Sequence, residues 1–169
     1  PADAAPPFFC RILRTVPEPP VLRAASTMIP ELGHFALVLA LVLAAVQGLV
    51  PLAGAARGDS LWIGMARPVA VGQFAFVALA FAALAYAFLV NDFSVENVAH
   101  NSYSKLPAIY RFTALWGSHE GSLLLWTLFL AGWTAAVGLV GRQLPPDLLA
   151  RVIGVMGLVS TGFLLFLLT

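Results

Sequence analysis

Residues 69–90 read VAVGQFAFVALAFAALAYAFLV, a run without one charged side chain. A helix needs about 20 predominantly apolar residues to cross the hydrocarbon core of a bilayer. In lipid every backbone polar group must be satisfied within the protein, which a continuous helix achieves by itself. This run therefore predicts a membrane-spanning helix, and it decides the class of the whole chain.

Three further apolar stretches of similar length lie along the chain. They occupy residues 32–52, 121–140 and 148–169. The interruptions Gln47, Gly48 and Gln73 are tolerable, because Leu, Val and Phe each favour insertion by roughly 0.3 to 0.6 kcal/mol at mid-helix. We predict an all-α integral membrane protein with four transmembrane helices.

Composition excludes several classes of protein. The chain is 60% hydrophobic and 10% charged, with a mean hydropathy of +0.91, which a soluble domain of this size could not bury. The net charge is +1, and the basic residues are scattered along the chain, not clustered. Nucleic acid is therefore not an expected partner. Membrane lipid is an expected partner. The single cysteine, Cys10, excludes an internal disulfide and a C-x-x-C-H haem-attachment site.

The first 27 residues differ from all that follow. They are rich in proline and carry no periodic apolar face, so we predict a disordered, non-native tail and a natural start at Met28. Residues 28–169 then form the membrane domain. The fourth stretch runs into Thr169 without a polar flank, which suggests a piece of a longer protein.

Basic residues predict the orientation. The short connections 54–68 and 142–147 lie on one side of the membrane and the longer connection 91–120 on the other. The short-loop side carries Arg57, Arg67, Arg142 and Arg151, and the long connection carries Lys105 and Arg111. Counted from Met28, this places the short loops in the cytoplasm, the N-terminus outside and loop 91–120 in the periplasm. If the arginines of the tail were counted as well, the side of the long connection would carry more basic residues, and the predicted orientation would reverse.

The segment WGSHEGSLLLW, residues 116–126, holds the candidate site. At helical spacing Trp116, His119 and Trp126 share one stripe. An imidazole between flat aromatic rings would suit haem. The alternatives are an aromatic belt at the water interface, with His119 as a hydrogen-bonding group or a proton carrier. Both interpretations stay open at this point.

The remaining residues of this segment have plainer roles. Gly117 and Gly121 form a small-xxx-small pair, which is typical of close helix packing, and Glu120 and Ser122 complete the segment. His34, near Glu31, is a weaker second candidate. The sequence contains no motif that predicts catalytic residues or a metal site. The middles of the spans carry no Asp, Glu, Lys or Arg, which disfavours an ion or proton pump.

Several motifs resemble the CcmF/NrfE family of cytochrome c-type biogenesis proteins. They are VNDFSV at 90–95, NS at 101–102, LP at 106–107, YR at 110–111 and W-G-x-H-E-G-S-x-x-x-W at 116–126. MIPELG at 28–33 is similar to a family N-terminus, and ARV at 150–152 through GFLLF at 162–166 is similar to the helix that follows. The resemblance covers residues 28–169.

The resemblance implies a multi-pass protein of the bacterial inner membrane that acts in a haem lyase complex. Its expected partners are a haem chaperone, apocytochrome c and other cytochrome c maturation subunits, with haem as the cofactor handled. The family's tryptophan-rich W-W-D segment and haem-ligating histidines would lie beyond Thr169, so this chain alone is expected to be inactive. The alternative is a transporter or structural subunit whose tryptophans only anchor it at the interface.

Overall fold

A computed structural model describes residues 20–90 and 119–168 of the chain, together with the single positions Val98, Thr113, Leu115 and Gly117; within these ranges the side chains of residues 20–28 and of Arg142 lie outside the description. The described regular elements are all helical. They are α1 (Pro20–Arg57), α2 (Ser60–Gly64), α3 (Ala66–Val90), α4 (His119–Val140), a 3₁₀ helix (Gly141–Gln143) and α5 (Pro146–Leu168).

Four helical segments are long and apolar enough to cross a membrane. They are Ile29–Arg57, Ser60–Val90, His119–Val140 and Pro146–Leu168. The prediction of an all-α membrane protein with four spanning helices is confirmed. Each segment contains most of one predicted span, and all four begin earlier than the apolar pattern alone suggests.

The first helix also begins earlier than the predicted end of the tail. Helix α1 starts at Pro20, so residues 20–27 belong to it although the sequence predicts disorder through residue 27. Proline is accommodated in the first turn of a helix, where its missing N–H has no intrahelical partner to lose. Residues 1–19 lie outside the described part of the chain.

The four spanning segments form a closed bundle. Helix α1 packs against α3 and α5, α4 packs against α3 and α5, and α3 and α5 also contact each other. We call the end that carries His34 and His119 the histidine end. The opposite end, which carries Arg57, Arg67 and Arg151, is the arginine end.

Two apolar clusters occupy the inside of this bundle. The histidine-end cluster consists of Ala40, Ala44, Val77, Leu124, Ala131 and Leu164. The arginine-end cluster consists of Ala66, Ala70, Leu149 and Ile153, with Val137 packed against it. Many of these side chains are small, so the helix backbones approach one another closely, as is typical of helix packing in membranes.

A tight turn at the arginine end joins α1 to α2. Gly58 has a φ of 71°, which glycine adopts without steric cost. The Asp59 carboxylate then accepts a hydrogen bond of 2.9 Å from the Leu61 N–H and caps α2. The Arg57 guanidinium lies 5.4 Å from the centre of the Trp62 ring. This turn fixes the arginine-bearing end of α1 against α2.

Part of the long connection packs onto the histidine end. Val98 and Leu115 are fully buried and cluster with Ala87 and Phe88 at the end of α3. Val98 and Leu115 therefore belong to the body of the bundle, whereas Thr113 and Gly117 of the same connection are exposed.

Candidate functional site

The candidate site lies where α4 begins, at the histidine end. His119 is the first residue of α4 and is exposed. Its ring meets the ring of Phe166 edge-on, with centroids 6.1 Å apart and an interplanar angle of 67°. The Ser122 hydroxyl donates a hydrogen bond of 3.0 Å to the His119 carbonyl. The start of α4 is thus anchored to the end of α5, while the imidazole stays accessible.

Helix α4 places Trp126 on the same side as His119, about 10 Å further along the axis. Trp126 is 67% exposed and Trp133, two turns on, is 69% exposed. Phe129 is exposed between them. The stripe that the sequence predicts therefore runs along the outer face of the bundle and does not point into its interior. Trp116 lies outside the described residues.

The two glycines of the segment have different surroundings. Gly121 is buried, but Gly117 is exposed in a turn. Because α4 begins only at His119, a spacing of four residues does not place both glycines on one helix face. The predicted packing pair is therefore wrong for Gly117. Glu120 is exposed in the first turn of α4.

His34 contributes to a different feature of the same end. It is exposed and lies at the wall of a cavity of about 180 Å³ between α1 and α3, whose other lining residues include Gly33, Ala83 and Leu84. His119 and Trp126 do not line this cavity. The structure therefore does not unite the two candidate histidines in one site.

The described residues around the start of α4 present an open, exposed surface. His119 offers one accessible imidazole of the kind that ligates haem iron, and Trp126 offers an exposed indole face. Among the described residues no group of three or more His, Cys, Asp or Glu side chains could hold a metal ion. A flat ligand or a partner could contact this surface with only one of its own faces.

Sequence reasoning missed two residues that the structure makes prominent. By sequence Gln47 and Gln73 are tolerable interruptions of apolar helices, yet both are completely buried inside the bundle. Their polarity at mid-span was the available signal, because polar groups inside a membrane protein are costly unless they face its interior.

Comparison with known proteins extends this picture. No protein-family model matches the chain. The cytochrome c-type biogenesis protein CcmF of Pseudomonas aeruginosa is 64% identical over 140 residues, which are 83% of this chain and 21% of that protein. CcmF of Escherichia coli K12 is 50% identical over 141 residues, or 83% of the chain and 22% of the relative. The cytochrome c-type biogenesis protein NrfE of Haemophilus influenzae is 38% identical with the same coverage.

A solved structure titled "Cytochrome c Heme Lyase CcmF" matches with a TM-score of 0.76 and 29% identity, covering 80% of this chain and 23% of that one. The chain thus spans about a fifth of the length of the curated relatives that it matches. The solved structure agrees with the fold of the described helices over the part that aligns. The chain is part of a multi-pass membrane protein, and over the residues that align it belongs to the CcmF family of cytochrome c-type biogenesis proteins.

Proposed function

We propose that the protein containing this chain acts in cytochrome c maturation, in the step that attaches haem covalently to apocytochrome c at a bacterial inner membrane. The observation that carries the proposal is the 64% identity to a cytochrome c-type biogenesis protein over 83% of the chain. The match to a structure titled as a cytochrome c haem lyase supports it.

Haem is the substrate in this step. Each reduced cysteine of an apocytochrome C-x-x-C-H site adds across one haem vinyl group: its sulfur forms a C–S bond and its proton goes to the other vinyl carbon. Such an addition needs haem and cysteines held in one geometry. The described residues provide two exposed imidazoles, those of His34 and His119, which the structure does not unite in one site, so the complete geometry needs groups outside the described part of the chain.

Within this process we assign the histidine end to the side on which haem and apocytochrome c arrive. The exposed arginines Arg57, Arg67 and Arg151 lie at the opposite end, and basic residues favour the cytoplasmic side. His119 would then face the periplasmic side as a contact surface for haem or a partner, with Trp126 about two turns further along the same stripe of α4. A haem chaperone, apocytochrome c and other maturation subunits are the partners of this surface.

The function is tested by deleting the gene that contains this chain and staining the cell's c-type cytochromes for covalent haem. We expect the haem-stained bands to disappear while apocytochrome c is still exported, and to return when the intact gene is supplied on a plasmid. Undiminished covalent haem in the deletion strain would contradict the proposal and favour a transport or structural role.

A further inference from the structure

A layer of buried polar side chains crosses the bundle between its two apolar clusters. In α3 it contains Gln73 and in α5 it contains Ser160, both with no exposed surface. Their apolar neighbours toward the arginine end are Ala70 and Ile153, and toward the histidine end Val77 and Leu164. Along α3 and α5, which contact each other, Gln73 and Ser160 therefore both lie between members of the two apolar clusters.

The other two helices contribute to the same layer. In α4, Thr134 lies between Ala131 of the histidine-end cluster and Val137 beside the arginine-end cluster. In α1, Gln47 lies one turn beyond Ala44, and its Nε2 donates a hydrogen bond of 3.2 Å to the Ile153 carbonyl of α5. Both polar residues are fully buried. Each spanning helix therefore supplies one polar side chain to this layer.

Four atoms of the layer have no hydrogen-bond partner in the described structure. They are Nε2 and Oε1 of Gln73, Oε1 of Gln47 and Oγ of Ser160. Thr134 differs, because its hydroxyl donates to the Leu130 carbonyl at 2.7 Å. Buried polar groups in proteins are as a rule hydrogen-bonded, to protein or to ordered water. Four such atoms in the region between the two apolar clusters therefore point to a ligand.

We propose that this layer, formed by Gln47, Gln73, Thr134 and Ser160, is an internal binding site for water in the middle of the membrane-spanning bundle. The chemistry of the orphan atoms selects water. The amide Nε2 of Gln73 needs an acceptor, the two amide oxygens need donors, and the Ser160 hydroxyl can be either. A metal cation would serve only the oxygens, whereas water donates and accepts at one site.

The site has a structural consequence for the bundle. Water held by Gln73 and Ser160 would connect α3 to α5, and Gln47 already connects α1 to α5. The helices are apolar on all sides, and lipid is as apolar as the interior, so hydrophobicity alone does not set their register. A satisfied polar network specifies one arrangement of a core. The site therefore sets the depth at which the helices meet.

The direct test observes water at the glutamine amides. The chain contains glutamine only at 47, 73 and 143, and Gln143 is exposed. The full chain is labelled with ¹⁵N at the glutamine side-chain amides, placed in lipid bilayers and studied by water-edited solid-state NMR; the Gln73 signal is assigned by its loss in Gln73→Met. We expect magnetisation transfer from water to the side-chain amide of Gln73, as to that of the control Gln143. Transfer to Gln143 without transfer to Gln73 would overturn the proposal.

A second test uses a double-mutant cycle of Gln73→Met and Ser160→Ala, with Gln143→Leu as the control, and measures Tm in detergent. Each single change removes one of the two side chains that hold the water and leaves the water or the remaining side chain without a hydrogen bond. Tm should therefore fall by about 3 to 6 °C. The fall in Tm of the double variant should be clearly smaller than the sum of the two single falls, because both partners of the shared water are then removed at once. Additive losses, or a rise in Tm for Gln73→Met, would show that the two residues share no water.

Discussion

At the scale of single residues, His119 is the group on which the site proposal depends. Its ring is exposed and rests edge-on against Phe166, so one side chain can serve both helix packing and ligand contact. These two roles are separable, because removing Phe166 takes away the packing partner and leaves the imidazole in place.

We predict that His119→Ala, made in the whole protein that contains this chain, lowers covalent haem in c-type cytochromes about tenfold. The expected cause is the loss of an imidazole at the haem or partner surface. The measurement is haem staining at equal amounts of membrane protein.

Phe166→Leu is the matched control for His119→Ala. It removes the ring that His119 touches and should leave haem attachment close to normal. If Phe166→Leu reproduced the full loss, or if His119→Ala had no effect, His119 would be a packing residue and the site proposal would be wrong.

At the scale of elements, α1 and α5 pack with their backbones in close contact at a glycine of α5. A Cβ atom added to Gly157 would lie 2.8 Å from the backbone nitrogen of Gly48 and 3.0 Å from the Gln47 carbonyl carbon. Backbone cannot move aside as a flexible side chain can, so a methyl group there forces the helices apart. Gly162, on the same helix, has nothing within 4 Å of its added Cβ.

We predict that Gly157→Ala destabilises the bundle by about 1 to 3 kcal/mol through overpacking. Gly162→Ala should be neutral or stabilising by up to about 1 kcal/mol, since alanine favours a helix over glycine. Thermal unfolding of the two variants in detergent, followed by circular dichroism, measures the difference. Equal stability of the two variants would mean that α1 and α5 do not meet as closely as described.

At the scale of the whole molecule, charge and aromatic residues divide the bundle into two ends. Exposed arginines mark one end, and exposed His34 and His119 mark the other. Around the middle the outer surface is apolar, with exposed Trp126, Phe129 and Trp133 on α4, as expected for a surface that faces lipid or further helices of the membrane protein.

We predict that the histidine end faces the periplasm. In a Cys10→Ser background, which removes the chain's single cysteine, Gly117→Cys and Ser60→Cys place one exposed thiol at either end. A membrane-impermeant maleimide should label Gly117→Cys in spheroplasts and should label Ser60→Cys only after the membrane is permeabilised. The reverse labelling pattern would mean that the histidine end faces the cytoplasm, and the side assigned to haem would then be wrong.

The class and approximate spans of the protein follow from its residues alone, because insertion depends on the length and apolarity of a continuous stretch. The predicted spans 69–90 and 121–140 nearly coincide with the ends of α3 and α4, and the family predicted from the motifs is the family that the relatives show. Where α1 begins was harder to predict, since α1 starts with proline and a less apolar sequence.

Which face of each helix points inward was decided only by the tertiary structure. Helices that are apolar on every side carry no pattern that separates a lipid-facing position from a buried one. By sequence Gln73 is a tolerable interruption, yet it is buried, and its amide atoms have no hydrogen-bond partner among the described residues. By sequence Trp126 shares a stripe with His119, and only the structure places it on the outer face of the bundle. The physical reason is that lipid and the protein interior are equally apolar, so only packing against the other helices distinguishes them.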